Sequence, residues 1–257
     1  MKTLFIMLTI ITFVASFAQA AGPEDSLILY MSFDTVDGKN TIDHSMYENH
    51  GEMAGNPKHV NGKFGKALEL NGTSDWVTVP HHETLTVDKD FTVMAWINTE
   101  RHMGPNNARW QGIVAKSNNP RSYSFYTESP SECMHLSVNG GGSVCQDGKV
   151  ALNEWQHVVA QSEGGTHRYW INGKNVGEYG GKPNPPGKAD TANVFIGRTH
   201  EGNRQFLGLI DEVRIWNRAL SEEEVIEQME KGHMELFPVD PRQKLTTTWG
   251  TIKSEKR

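Results

Sequence analysis

Carboxylates placed close together are the first residues of this chain to weigh for chemistry. In "GLIDEVRIWNRALSEEEV", residues 208–225, Asp211 stands beside Glu212 in an apolar run, and Glu222, Glu223 and Glu224 follow. A retaining glycosidase needs two carboxyls about 5 Å apart, one with a raised pKa. Neighbours on a strand point to opposite sheet faces, so Asp211 and Glu212 are expected to miss that geometry. The three glutamates follow Ser221, and Ser-x-x-Glu opens a capped helix, with Val225, Ile226 and Met229 as its apolar stripe and Gly232 as its stop. Acids in a first helical turn complement the helix dipole. Asp43-His44-Ser45 holds the residue types of a hydrolase triad, but without the glycine pattern of a nucleophile elbow. The eleven histidines show no His-Glu-x-x-His spacing. His157 in "EWQHVV" reads as a strand residue with a structural hydrogen bond.

Sugar recognition asks for different residues: rings that stack on sugar faces, and amides or guanidinium groups that hydrogen-bond hydroxyls. The loops "RHMGPNNARWQG", "KSNNPRSYSFY" and "THEGNRQF" supply them, making Asn106, Asn107, Arg109, Trp110, Asn119, Arg121, Asn203 and Arg204 the candidate ligand contacts. The competing reading for each is a solvated loop, with Trp110 anchoring one of them to the core.

The elements that must position these loops are short β-type runs separated by Gly, Asn, Pro and Ser, among them "LILYMSF", "WVTV", "FTVMAWI", "HVVAQ", "RYWING" and "LIDEVRIW". Regular short strands predict an all-β, two-sheet antiparallel β-sandwich with one short C-terminal helix. Phe91, Val93, Ala95 and Ile97 share one parity and face one side. Trp96, Trp155, Trp170 and Trp216 sit in or beside apolar runs and are expected to fill the core. Asn172-Gly173 is a strong hairpin signal. "MHLSV" and "SVC" flank "NGGG", so Cys133 and Cys145 bracket one hairpin, which in an oxidising compartment favours a local disulfide over zinc.

Residues 1–20 read as a secretory signal: Lys2, an apolar run from Leu4 to Phe17, and cleavage after Ala20 in Ala-Gln-Ala. The expected location is therefore secreted, periplasmic or at the cell surface. No segment reaches the roughly 18 apolar residues that would span a bilayer. The chain carries a formal charge of −6, and losing Lys2 adds one further negative charge. That disfavours nucleic acid and anionic membranes as partners. The remainder fits one domain over 21–232 and a tail over 233–257 that carries two prolines and a basic end. Asn71-Gly72-Thr73 is a glycosylation acceptor pattern in a glycosylating host.

In order, "LYMSFD", "DHSMYENHGE", "GKFGKALELNGTSDWVTVP", "FTVMAWI", "EWQHVVA", "YWINGK" and "FLGLIDEVRIWNRALSEEEV" resemble the laminin-G-like (LamG-like) jelly-roll domains of the concanavalin A-like lectin/glucanase superfamily, over roughly residues 27–231. That architecture hosts sugar-binding modules, adhesive domains and glycan-cleaving enzymes, so fold alone does not choose between them. The glucanases' Glu-x-Asp-x-Glu is absent here, as are the Gln-Ile-His and Arg-x-Glu-Leu signatures of jelly-roll alginate lyases. The expectation is thus a non-catalytic module binding a glycan or an extracellular protein, the alternative being a divergent glycoside hydrolase or polysaccharide lyase. The resemblance also implies a structural calcium joining the first and last strands, with Asp34, Gly72 and Asp211 as its ligands. The other reading of Asp34 and Asp211 is that they cap loops or pair with Lys66 or Arg214.

Overall fold

The computed structural model describes residues 24–88, 90–117, 121–138, 141–180 and 191–236. The signal segment, Asn119 and residues 237–257 lie outside them. In chain order the strands are β1 (Leu27–Met31), β2 (Val36–Asp37), β3 (Asn40–Thr41), β4 (Gly51–Ala54), β5 (Lys58–Asn61), β6 (Lys66–Asn71), β7 (Trp76–Val79) and β8 (Phe91–Thr99). They continue with β9 (Trp110–Lys116), β10 (Tyr123–Glu128), β11 (Cys133–Ser137), β12 (Gly141–Val144), β13 (Gln156–Glu163), β14 (Thr166–Ile171), β15 (Lys174–Gly180), β16 (Val194–Ile196) and β17 (Leu207–Trp216). Two helices follow, α1 (Glu222–Glu230) and α2 (His233–Leu236).

The first sheet has the order β15-β14-β13-β8-β17-β6-β5, with β1 also on β17; the second runs β12-β11-β10-β9-β16-β7-β4-β3-β2. All named pairings are antiparallel. The expected two-sheet sandwich is what forms, and its inner faces meet through alternating side chains. Phe91, Val93, Ala95 and Ile97 all join the main core, opposite Ile113, Phe125, Leu136 and Ile196 of the second sheet. Asn172 and Gly173 turn the β14–β15 hairpin with φ of 52° and 75°, the left-handed pair that a two-residue turn requires. Cys133 and Cys145 are disulfide-bonded across the β11–β12 hairpin, their Cα atoms 5.1 Å apart.

Three of the four tryptophans are buried as expected, but on the outer face of the first sheet and not between the sheets. Trp170 and Trp216 are buried in a second cluster with Tyr30, Met94, Leu220 and Val225, on the outer face of the first sheet beneath α1. Trp96 is buried on that same face, packed against Phe64 and His157. Trp155 is only half-buried. Helix α1 makes this second cluster, so an outward strand position becomes as dry as an inward one. The helix begins as expected, with Ser221 accepting from Glu224 N and Glu224 accepting from Ser221 N. The segment expected to be tail begins with the ordered α2, and Leu236 packs on the second cluster.

Candidate functional site

Two groups of polar side chains are candidates, one on the outer face of each sheet. The first lies where β17 changes partner. Residues 207–210 pair with β6 and residues 213–216 with β1, and between them the register with β8 slips by one residue. Glu212 takes a φ of 51° at this bulge. An extra residue shifts parity, so Asp211 and Glu212 both turn outward, overturning the expectation that they face opposite sides.

Glu212 accepts from Tyr30 Oη at 2.6 Å and pairs with Arg214. Arg214 also donates to the carbonyls of Gln228 and Lys231 at the end of α1, which fastens the helix to the sheet. Asp211 Oδ2 accepts from Lys63 N and Phe64 N, at 2.9 and 3.1 Å. Asp34 Oδ1 accepts from Lys66 N at 2.8 Å. Both aspartates therefore clamp one turn, residues 62–66. A Cβ at Gly65 would fall 1.8 Å from Asp34 Oδ1, which is why this approach needs glycine.

Burial, then the charge of Glu212, pushes Asp211 up to about 8. Burial also raises Glu212 despite Arg214. A raised carboxyl beside a second carboxyl is the signature of acid–base chemistry, yet Asp211 is 0% and Glu212 1% exposed. They lie beneath the 62–66 turn and α2, and serve to hold those elements.

The calcium ligand set does not assemble. Gly72 lies at the far end of β6 from Lys66, roughly 20 Å away at ~3.3 Å per residue, and its carbonyl accepts from Arg101 at 2.8 Å. The oxygens of Asp34 and Asp211 that face the turn are taken by backbone N–H groups. Among the described residues no group of three or more His, Cys, Asp or Glu is arranged to hold a metal, and calcium asks for six to eight oxygens. The Asp43-His44-Ser45 segment is a turn: Asp43 accepts from Tyr30 N, Ser45 N, Ser45 Oγ and Asn49 N, while the His44 ring stacks on His233 at 3.8 Å. The expected hydrogen bond of His157 is made by its backbone N–H to Asn172; its ring has no hydrogen-bond partner among the described residues.

The second group lies on the outer face of the second sheet, over β9, β10 and β11. Phe125 and Leu136 point into the core, so the alternate residues Tyr126 and His135 point out. Trp110, Tyr126 and His135 form a triangle of rings with centroids 6.5, 6.1 and 5.6 Å apart. Arg204 lies over Trp110 at 4.7 Å and over Tyr126 at 5.5 Å, and Arg109 lies 5.1 Å from the Trp110 ring. Two carboxylates hold these cations in place. Glu128 pairs with Arg109, and Glu201 pairs with both Arg121 and Arg204. Burial would raise Glu201, but hydrogen bonds from Arg121 and Thr199 and the nearby guanidinium charges outweigh it and leave it lowered. Burial holds His135 down at about 4, so it is neutral at pH 7 and bonds Ser143 Oγ at 2.8 Å.

Of the sequence-derived ligand contacts, Arg109, Trp110, Arg121 and Arg204 converge here. Asn106, Asn107 and Asn203 are exposed on the adjoining turns, each in left-handed backbone that asparagine tolerates. Tyr126, Glu128, His135 and Glu201 were missed. Trp110 Nε1, Arg121 Nε, Glu128 Oε2 and Glu201 Oε2 are buried with no hydrogen-bond partner among the described residues. Buried polar atoms are ordinarily satisfied, and others without a partner among the described residues, such as Trp96 Nε1, Asp211 Oδ1 and Arg214 Nε, lie on the first sheet, so these atoms do not by themselves distinguish the two faces.

The chain is a two-sheet jelly roll that carries a cluster of rings and guanidinium groups on one outer face. Residues 71–226 match the laminin G model of the concanavalin A-like lectin/glucanases superfamily, and the chain belongs to that family. Similar solved structures include domain 4 of AbnA, a GH43 extracellular arabinanase from Geobacillus stearothermophilus, in complex with arabinotriose. That match has a TM-score of 0.64 and 19% identity and covers 79% of this chain and 98% of that one. The binding domain of Paraclostridial Mosquitocidal Protein 1 matches with a TM-score of 0.63 and 16% identity, over 80% of this chain and 52% of that one. The binding domain of botulinum neurotoxin DC, in complex with rat synaptotagmin II, matches with a TM-score of 0.59 and 16% identity, over 80% and 51%. This chain thus spans about half the length of the toxin domains. No curated protein matches it. Among the described residues no helix is long and apolar enough to cross a membrane.

Proposed function

We propose that this chain is an exported, non-catalytic module that binds carbohydrate on the outer face of the second sheet, centred on Trp110. The observation that carries the reading is the convergence of Trp110, Arg109 and Arg204 on one outer sheet face, with Tyr126 packed beneath them. Rings and planar guanidinium groups on a rigid sheet suit sugar faces and hydroxyls, and a preorganised surface loses little entropy on binding. The jelly-roll domain seen with arabinotriose supports a sugar over other ligands.

The glycosidase alternative needs an accessible acid with a raised pKa. The raised carboxyls, Asp211 and Glu212, are sealed under the first sheet's cover, and Glu201 on the open face is lowered. A protein ligand is the second reading, favoured by the similarity to a toxin binding domain in complex with synaptotagmin. A glycan array probed with the wild type and a folded Trp110→Ala variant tests the proposal. Binding that the variant loses supports it; no glycan bound, or binding untouched by the variant, overturns it and leaves the protein-ligand reading.

A further inference from the structure

The ring face does not stop at Trp110. On the neighbouring strands Phe195 of β16 and Thr78 of β7 pair directly, and Trp76 Nε1 donates to Thr78 Oγ1 at 3.2 Å. Arg198 lies over Trp76 at 4.4 Å and over Phe195 at 4.8 Å, and His200 stacks on the other ring partner, 4.5 Å from Phe195. Arg198 donates to the Thr199 carbonyl and forms no ion pair among the described residues.

Both patches repeat one device, in which a guanidinium lies across an aromatic ring. A ring covered in that way offers less of its face to a neutral sugar. Arg204, 17% exposed, is turned to Glu201, but at Arg109, 60% exposed, and at Arg198 what a ligand meets is a planar cation, held in place by stacking and able to receive a carboxylate or sulfate in a two-point hydrogen bond. Arg109, Arg121, Arg204 and Arg198 stand against three carboxylates on this face, Glu128, Glu201 and Glu52, which leaves one positive charge in excess on a chain whose net charge is −6. Glu52, opposite Thr78 on β4, marks the far border. Ile196 lies level with both Val77 and Val114. Trp76 and Trp110 are therefore two strand spacings across and about three residues along from each other, roughly 14 Å. One sugar ring does not span that distance; a chain of sugars does.

We infer that this face takes an acidic glycan, a chain whose sugars carry carboxylate or sulfate groups, laid from Arg109 to Arg198. The inference rests on the carbohydrate reading above and narrows it. The local positive field attracts such a polymer against the chain's net charge, and salt screens that attraction. Covering Trp76 and Phe195 from water is the other use an arginine has there, and the test separates the two.

Affinity electrophoresis of the whole protein is run against polygalacturonate, dextran sulfate, highly methyl-esterified pectin and neutral dextran. Polygalacturonate carries carboxylates alone and dextran sulfate carries sulfates alone, so they identify which anion is read. The pectin keeps the galacturonan backbone with its charge masked. Retardation by either acidic polymer, weakened by added salt and reduced about tenfold in both Arg198→Gln and Arg109→Gln, is the expected result. Arg168→Gln, on the first sheet, serves as the control for non-specific attraction and is expected to leave binding unchanged. Equal retardation by polygalacturonate and its methyl ester, or acidic binding that Arg198→Gln does not reduce, overturns the inference. Binding confined to neutral glycans overturns it while leaving the carbohydrate reading intact; no binding to any glycan removes both.

Discussion

On the outer face of the first sheet, Arg214 is 1% exposed and its partner Glu212 is 0% exposed at the side chain. On the outer face of the second, Arg109 keeps 60% of its side chain in solvent while its partner Glu128 keeps 1%. The same arginine–glutamate pairing thus does two jobs. Beneath α1 and the 62–66 turn it is enclosed, and Arg214 spends its remaining donors on the end of the helix. Over β9 and β10 the Glu128 carboxylate lies below and the Arg109 guanidinium above, so that charge is presented outward. A pair buried on both sides fixes architecture, whereas a pair buried on one side fixes a surface.

The comparison is broken most severely by opening the first face. Arg214→Ala leaves Glu212 buried without its cation and α1 without its tether, and is expected to cost about 3–5 kcal/mol in urea unfolding. Sugar binding by the molecules that remain folded should be unchanged. A loss under about 1 kcal/mol would show that the network is not what holds the helix. Replacing Cys133 and Cys145 by serine frees a loop of 12-residue separation, and should lower stability by roughly 2–3 kcal/mol. That variant acts on the second sheet and should also weaken binding, because the hairpin carries His135.

Trp110→Ala should do the reverse of Arg214→Ala. Its expected effect is a loss of at least about tenfold in glycan affinity, near 1.4 kcal/mol, with a smaller change in stability. If its melting temperature fell as far as that of Arg214→Ala, the ring would be a structural anchor, and the contrast between the faces would fail.

Acidity separates the faces more finely. Burial, and then the charge of His233, holds His44 near 4; burial and then Arg214 hold His157 near 3; both start from an ordinary value of 6.5. A base whose folded pKa is lowered binds more protons when unfolded, so its contribution is complete above about 6.5 and is lost as the pH falls toward 4. Asp211 works in the opposite sense. Its folded pKa is raised from 3.8 to about 8, so its contribution is complete below the lower value and is lost as the pH rises through 8. Melting temperatures should fall on both sides of neutrality. Asp211→Asn should flatten the fall between about 6.5 and 8 and steepen the acidic one, because the Asp211 contribution changes all the way from 3.8 to about 8; an unchanged limb above 6.5 would place Asp211 as an ordinary ionised carboxylate. The smallest effect expected is that of calcium or chelator on the melting temperature, because the turn that Asp34 and Asp211 close is held by backbone N–H groups. A clear rise with calcium would return those aspartates to a metal.

The strands were legible because inward residues alternate, as Phe91, Val93, Ala95 and Ile97 do, and the α1 cap because Ser221 and Glu224 have the spacing that a capping box needs. The bulge at Glu212 was not legible. Glutamate carries no preference for positive φ, and the slip is imposed by the exchange of β6 for β1 beside β17. Trp96, Trp170 and Trp216 are buried as expected, but that they are so on the outer face, Trp170 and Trp216 beneath α1, was hidden, since a strand does not reveal whether a helix will cover that face. For the site, Arg109, Trp110, Arg121 and Arg204 stood out by residue type in polar loops. Tyr126 and His135 sat inside the runs "YSFY" and "MHLSV", where outward parity was the available signal. Glu128 meets Arg109 across the β9–β10 pairing, 19 residues on, and Glu201 lies three residues from Arg204 but meets Arg121 only when segments eighty residues apart are brought together. Gly72 failed as a ligand for a plain reason: it and Lys66 close opposite ends of one strand.

Titrating an isotope-labelled sample with the strongest glycan from the array, and following backbone amide shifts, tests the central claim most directly. Perturbations centred on Trp110, Tyr126, His135 and Arg204, with the amides of β13 and β17 undisturbed, are the expected result. Shifts centred on Asp211, Glu212 and α1 instead would contradict the account, because they would put the ligand on the face described here as closed.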